Sequence, residues 1–245
     1  MEVIEQGQIK LRSDFKQYPY IIRLLKKSDL TAVLQLQSNV LAKVKKKDCC
    51  VPLAAEELLL MLNGSGESIG LFVENQLYAK CSLLYPVGYE NNMARELDFS
   101  DEELKLVSQL ELSLVHSDLR GHKLQQKLAG ILARRAEAAK KARYLFTTVS
   151  PYNFPSIQTV TSLGLQIAKL CKMYYGWDRY VVYKDFTNPV ALDIENAVSL
   201  PSTAQEKQQH LLNNGYRGFS QFKDQDGIKI MYAKMRDYYE KCISG

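Results

Sequence analysis

Residues 110–128 read LELSLVHSDLRGHKLQQKL, and the polarity pattern changes period part-way through. Leu110, Leu112 and Leu114 alternate with Glu111 and Ser113, the signature of a strand. A short turn built on Asp118, Arg120 and Gly121 follows, and then the apolar positions recur at helical spacing. A strand that feeds directly into a helix aims unpaired backbone N–H groups and the positive end of the helix dipole at one spot. The turn is therefore predicted to be an anion cradle. A plain structural connection has the same pattern, so the segments on either side must decide.

Working outward, the order of elements takes shape. Upstream, Tyr20 to Leu25 is expected to be a first strand, and Ser28 or Asp29 to cap a helix whose apolar face carries Leu30, Val33, Leu34, Leu41 and Val44. Pro52 to Leu62 predicts a second helix, stopped at Asn63 and Gly64. Ile69 to Val73 and Leu77 to Leu84 predict a hairpin turned at Glu74, Asn75 and Gln76. Tyr85 to Ser108 is polar, with a capping box at Ser100 and Glu103, and is expected to be an insertion near the rim of a site.

Downstream, Leu124, Leu128, Ile131, Leu132, Ala138 and Ala142 form the apolar stripe of a long helix, with Arg134, Arg135, Lys140 and Lys141 on its solvated face. Tyr144 to Val149 predicts a buried strand. Ser156 to Ser162 predicts a short helix ended by Gly164, and Gln166 to Tyr174 and Arg179 to Tyr183 a hairpin turned at Gly176. The order is strand, two helices, three strands, helix, strand, helix, hairpin, which predicts an α/β layer protein with a mixed central sheet.

Composition narrows the function classes. The 245 residues are 46% hydrophobic and 24% charged, the balance of a globular chain, and the net charge of +5 is too small for a dedicated nucleic-acid binder. Aromatic and basic residues are not interleaved on any one element, which disfavours RNA binding. The run of Lys43, Lys45, Lys46 and Lys47 is expected to be the solvated end of a helix. Cys49, Cys50, Cys81, Cys171 and Cys242 are odd in number and lack CxxC spacing, so reduced thiols in a cytoplasmic setting are expected, with no metal site. Neither a secretory leader nor a membrane span is predicted.

From Tyr20 to Phe186 the chain resembles the GNAT acetyltransferase superfamily, most strongly at LELSLVHSDLRGHKLQQKL, VSPYNFPSIQTVTSLGL and RYVVYKD. The resemblance implies a GNAT-like mixed sheet flanked by helices and transfer of an acetyl group from acetyl-CoA to an amine by direct attack in a ternary complex. The family's pyrophosphate loop reads Gln or Arg, two residues, Gly, one residue, then Gly or Ala. Arg120 matches the first element; Lys123 and Gln125 stand where the two small residues belong. The backbone N–H groups from Gly121 through His122, Lys123 and Leu124 to Gln125 can still meet a pyrophosphate if the turn keeps its conformation. The family's bulged strand turns backbone groups of Leu114 and Val115 toward the thioester, and the resemblance places Glu111 at the position that often supplies a general base, and Asn153 and Ser156 against the cofactor. Val160 occupies the place of the usual proton-donating tyrosine; Tyr152, Tyr174 and Tyr175 are candidate replacements. His116 has the wrong strand parity for a base, and His122 is expected near phosphate.

The resemblance stops after Phe186. In residues 187–245, Thr203 and Glu206 suggest a capping box for a helix to Leu212, and a hairpin turning at Asp224 to Gly227 should follow. This helix–hairpin extension repeats the order seen from Ser156 to Tyr183 and is expected to pack on the sheet edge, shaping the acceptor site or a homodimer contact. The altered loop and Val160 keep one rival in play: a catalytically silent acyl-CoA sensor or scaffold. The acceptor, a small molecule or a protein, is left open.

Overall fold

The computed structural model describes residues 2–85 and 91–236. One sheet of eleven strands runs through the molecule in the order β1-β2-β3-β4-β5-β6-β8-β7-β10-β11-β9. The first eight strands are β1 (Val3–Lys10), β2 (Gln17–Leu24), β3 (Gly66–Val73), β4 (Gln76–Leu84), β5 (Val107–Val115), β6 (Tyr144–Val149), β7 (Gln166–Met173) and β8 (Trp177–Asp185). The last three are β9 (Val198–Pro201), β10 (Tyr216–Asp224) and β11 (Gly227–Lys234). The helices are α1 (Leu30–Leu41), α2 (Ala55–Leu62), a four-residue α3 (Asp101–Leu104), α4 (Leu124–Ala139), α5 (Phe154–Ser162) and α6 (Gln205–Asn213). Among the described residues no helix is long and apolar enough to cross a membrane.

The sheet is covered on both faces. On one, α4, α5 and α6 lie over Leu71, Leu83, Leu110, Leu145, Val182 and Tyr232 in a single core. On the other, α1 and α2 cover Phe72, Leu77 and Leu114, and the 3-10 turn Met93–Leu97 covers Val107, Phe146 and Val181. Local chemistry agrees with this layout. Glu74 and Asn75 both take positive φ in a two-residue hairpin turn of the kind that matches strand twist, and Ser100 and Glu103 form the expected capping box.

Two irregularities open the sheet. β5 pairs with β4 antiparallel, and the register slips between Lys80↔Leu114 and Ser82↔Glu111, so Leu112 and Ser113 form a bulge opposite Cys81. The slip reverses parity: Leu110 packs under α4, while Leu114, also even-numbered, packs under α1 and α2. β5 also pairs with β6 in parallel, but only from Val107–Gln109 to Tyr144–Phe146. Beyond that point the strands part.

Several expectations need correction. β1 was not anticipated: its single alternating stretch, VIEQGQIK, is too polar to stand out, and it earns its place by pairing with β2 along its length. Asp29 does not cap α1 with its side chain; its carboxylate takes the Arg23 guanidinium and the Lys26 N–H. The buried face of α1 is Val33, Leu36, Gln37 and Val40. α4 ends at Ala139 with Lys140 left-handed, so Ala138 is exposed, and Ala136 fills the stripe instead. Ala204, not Thr203, precedes α6. Cys242 and residues 86–90 of the expected insertion lie outside the described residues; Met93 of the same insertion reaches the site.

Candidate active site

Where β5 and β6 part there is a cavity of about 160 Å³. Its sheet walls are Leu110 to Ser113 and Thr147 to Ser150. Gln125, Asn153, Ser156 and Val160 line it from the α4/α5 face, and Cys49, Cys50, Leu53, Met93, Tyr174 and Arg179 from elements on the other side. It therefore passes through the sheet, which is possible only because the missing β5–β6 pairing leaves a gap there.

On the α4 side lies the turn that joins β5 to α4. Gly121 has φ +89°, and Lys123, immediately before α4, has φ 54° and ψ 27°. Left-handed backbone is what a glycine at that position would supply without strain. Lys123 adopts it with its side chain attached, so the conformation survives the substitution. Arg120, Gly121, His122 and Lys123 are exposed around the helix start, whereas the Leu124 side chain is buried in the core and leaves only its main chain available.

A residue that no motif marks joins them. Arg12, in the β1–β2 connection, donates its N–H to the Asp118 carbonyl (3.0 Å), and its Nη2 stands 3.0 Å from where a Cβ on Gly121 would be. Lys43 Nζ donates to Ser117 Oγ (2.9 Å), so one lysine of the basic run is anchored beside the turn rather than merely solvated.

The structure brings Gln125, Asn153 and Ser156 together. Gln125 Nε2 donates to Ser156 Oγ (2.9 Å) across the slot between the starts of α4 and α5. Asn153 Oδ1 accepts the Ser156 N–H (3.3 Å), capping α5, while its Nδ2 donates to the Cys49 carbonyl (3.0 Å). Leu114 and Val115 do not line the cavity: beyond the bulge, the Leu114 side chain is buried beneath α1 and α2, and Val115 packs on the opposite core. Ser113, at the bulge itself, does line it, with its hydroxyl beside the Cys81 thiol.

Glu111 sits on the other side. Its carboxyl accepts a hydrogen bond from Gln109 Nε2 (3.1 Å) and lines the cavity. Burial raises its pKa to about 7, outweighing the lowering by Gln109 and by the Lys80 ammonium. Lys80 is itself 1% exposed, and burial lowers its pKa to about 8. The sequence does carry a signal for Lys80: Ala79, Cys81 and Leu83 give one apolar face of β4, and Lys80 alternates with them in a strand that helices cover on both sides. Of the candidate tyrosines only Tyr174 lines the cavity, with its hydroxyl bonded to Thr148 Oγ1 (2.9 Å); Val160 lines it without a hydroxyl. His116 accepts the Asp118 N–H on Nδ1 and stacks edge-on with Tyr78, away from the cavity. Among the described residues no group of His, Cys, Asp and Glu could hold a metal ion.

A bulged central strand, a parallel neighbour that parts from it, and a helix start at the mouth of the gap define the GNAT architecture, and comparison with solved structures agrees. Arabidopsis thaliana NAA60 in complex with acetyl-CoA superposes with a TM-score of 0.57 at 12% identity, over 69% of this chain and 99% of that one. YncA, a putative acetyltransferase from Salmonella typhimurium with its cofactor acetyl-CoA, gives 0.52 at 16% identity, over 71% and 98%. An N-acetyltransferase from Staphylococcus aureus Mu50 gives 0.53 at 15% identity, over 68% and 98%. The chain thus has the GNAT fold. No family model and no curated protein sequence matches it.

Proposed function

We propose that this protein is an acyl-CoA-dependent N-acyltransferase that moves an acetyl group from acetyl-CoA to an amine. The observation that carries the reading is the through-sheet cavity, with a cationic helix start at one mouth and a carboxyl of pKa about 7 at the other. The residues present fit the co-substrate. Backbone N–H groups from Gly121 to Gln125, with Arg12, Arg120 and Lys123, suit a pyrophosphate.

In this reading the amine nitrogen bonds to the acyl carbon while the C–S bond breaks. Glu111 takes the proton the nitrogen sheds, which a carboxylate with a pKa near 7 does well at neutral pH. Tyr174, a cavity-wall phenol bonded to Thr148, returns a proton to the departing thiolate. The sensor reading draws on one observation, the Gln125 side chain bridging to Ser156 across the slot. Calorimetry with acetyl-CoA followed by thiol release with a panel of amines decides between them. Turnover is expected; binding without turnover on any amine would favour the sensor, and absence of binding would remove both.

A further inference from the structure

The proposed function leaves one charged group in the cavity wall unused. Arg179 on β8 is 3% exposed and lines the cavity on the same side as Glu111. Its one hydrogen bond runs from Nη1 to the Asp178 carbonyl (2.8 Å), and among the described residues it joins no ion pair. A guanidinium has five N–H donors, so most of its capacity is unspent. Burying a cation without a counter-ion is costly, which makes such a group a search image for an anion.

The surroundings do not supply that anion. The Asp178 carboxylate is taken by Lys172 Nζ (2.7 Å) and Gln205 Nε2 (2.5 Å). Asp48, Cys49, Cys50 and Tyr174 face the guanidinium, but burial raises both thiols and the phenol, keeping them neutral, and Asp48 is not within ion-pair distance. The Tyr174 and Trp177 rings, 5.5 and 5.4 Å away, hold the cation in position without adding a full negative charge.

The chain contains its own control. Cys171 is opposite Arg179 in the β7–β8 hairpin, and Phe222 is opposite Lys229 in the β10–β11 hairpin, each the same distance beyond its strand's bulge. Lys229 is also a largely buried cation, yet it is paired with Asp224 and Asp226, at 3.8 and 3.6 Å. At this matched position, the hairpin that faces the cavity leaves its cation without a carboxylate partner.

We propose that Arg179 receives a carboxylate of the acceptor, so that the acceptor is a small amine that carries a carboxylate. The inference rests on the acyltransfer reading and adds the substrate class. A cavity of about 160 Å³ that must also admit the thioester leaves room for a small acceptor, held by Arg179 at its acid end while its amine meets Glu111. Arg179 acts on binding, not on proton transfer.

The test compares the common amino acids with the corresponding amides, which differ only in the carboxylate, using thiol release with acetyl-CoA and calorimetry in the presence of coenzyme A. At least one acid is expected to be used or bound about 100-fold better than its amide. Arg179→Gln should raise KM for that acid by a similar factor, abolish the preference, and leave kcat and acetyl-CoA affinity close to the wild type; Arg179→Lys should restore part of it. Acid and amide behaving alike, peptide amines without a carboxylate being preferred, or Arg179→Gln depressing both members equally would overturn the proposal while acetyl-CoA still binds. Loss of acetyl-CoA binding by the wild type would instead overturn the function it rests on.

Discussion

Residues 154–185 and residues 205–234 share one anatomy and diverge in what they do. Each is a helix closed by a left-handed glycine, Gly164 at φ +80° and Gly215 at φ +81°, followed by a bulged strand and a return strand. The first unit sends Ser156, Val160, Tyr174 and Arg179 to the cavity; among the described residues the second sends none. The reason lies in the neighbours. β8 borders β6, which has parted from β5, so one side of the first unit opens on a gap. β10 and β11 lie between β7 and β9; β10 meets β7 at one pair, Gly218↔Ile167, and there the Ile167 and Ile230 side chains fill the junction. Their inward side chains, Ile230 and Tyr232, are simply core. The same helix–hairpin plan yields a site wall or a structural edge according to what the adjacent strand leaves open.

Glu111 faces the first unit across the cavity. Glu111→Gln should lower kcat by about 100-fold or more, the usual weight of a general base. In the wild type kcat/KM should rise with pH through an apparent pKa near 7, and the variant should lose that limb. The sign for stability is opposite. Burial raises the carboxyl from 4.5 to about 7, so its contribution is fully present below pH 4.5 and is lost as pH climbs through 7. The variant should therefore be the more stable protein above pH 7. Lys80→Met removes a cation that lowers the Glu111 pKa, so the rising limb should move to higher pH with the base intact. A limb that stays put in both variants would assign the proton transfer elsewhere.

The second unit should respond in stability alone. Gln208 on α6 is fully buried, and its Oε1 accepts from both Tyr180 (2.6 Å) and Tyr232 (2.7 Å), while its Nε2 donates to the Pro201 carbonyl (2.9 Å). That amide ties a strand of each unit to β9. Gln208→Leu keeps the bulk and removes three hydrogen bonds, for a loss of about 3 kcal/mol at roughly 1 kcal/mol each. Urea unfolding measures it. Turnover per folded molecule should stay near the wild-type value; a large fall would mean that the extension acts on the site and not only on the fold.

How much of this was legible depended on whether a feature was local. The helix of residues 154–162, the strand Tyr144–Val149 and the turn at Glu74–Asn75 follow from apolar spacing and from residues that tolerate left-handed backbone, which act within a few positions. Glu111, Gln125, Asn153 and Ser156 could be nominated because they lie near a motif. Arg12 and Arg179 could not. Arg12 meets Gly121 only because β1 pairs with β2, and Arg179 meets the cavity only because β6 leaves β5. The bulge had the same effect on Leu114 and Val115: a register slip of one residue carries no sequence mark, yet it decides which side chains reach the gap.

The smallest effect is expected at Lys123, and it bears on the same glycine logic. Both helix–hairpin units close their helix with a left-handed glycine, whereas the turn before α4 asks that conformation of a lysine. Left-handed backbone costs a non-glycine residue on the order of 1 kcal/mol, and glycine offsets part of that gain through a more flexible unfolded chain. Lys123→Gly should therefore stabilise the protein by about 0.5 kcal/mol, readable as a small rise in the urea midpoint. Its ammonium is exposed, so acetyl-CoA affinity should fall less than about fivefold at physiological salt, the scale of a screened surface charge. If affinity instead collapsed while stability rose, the lysine side chain, and not the turn's backbone, would be what holds the pyrophosphate.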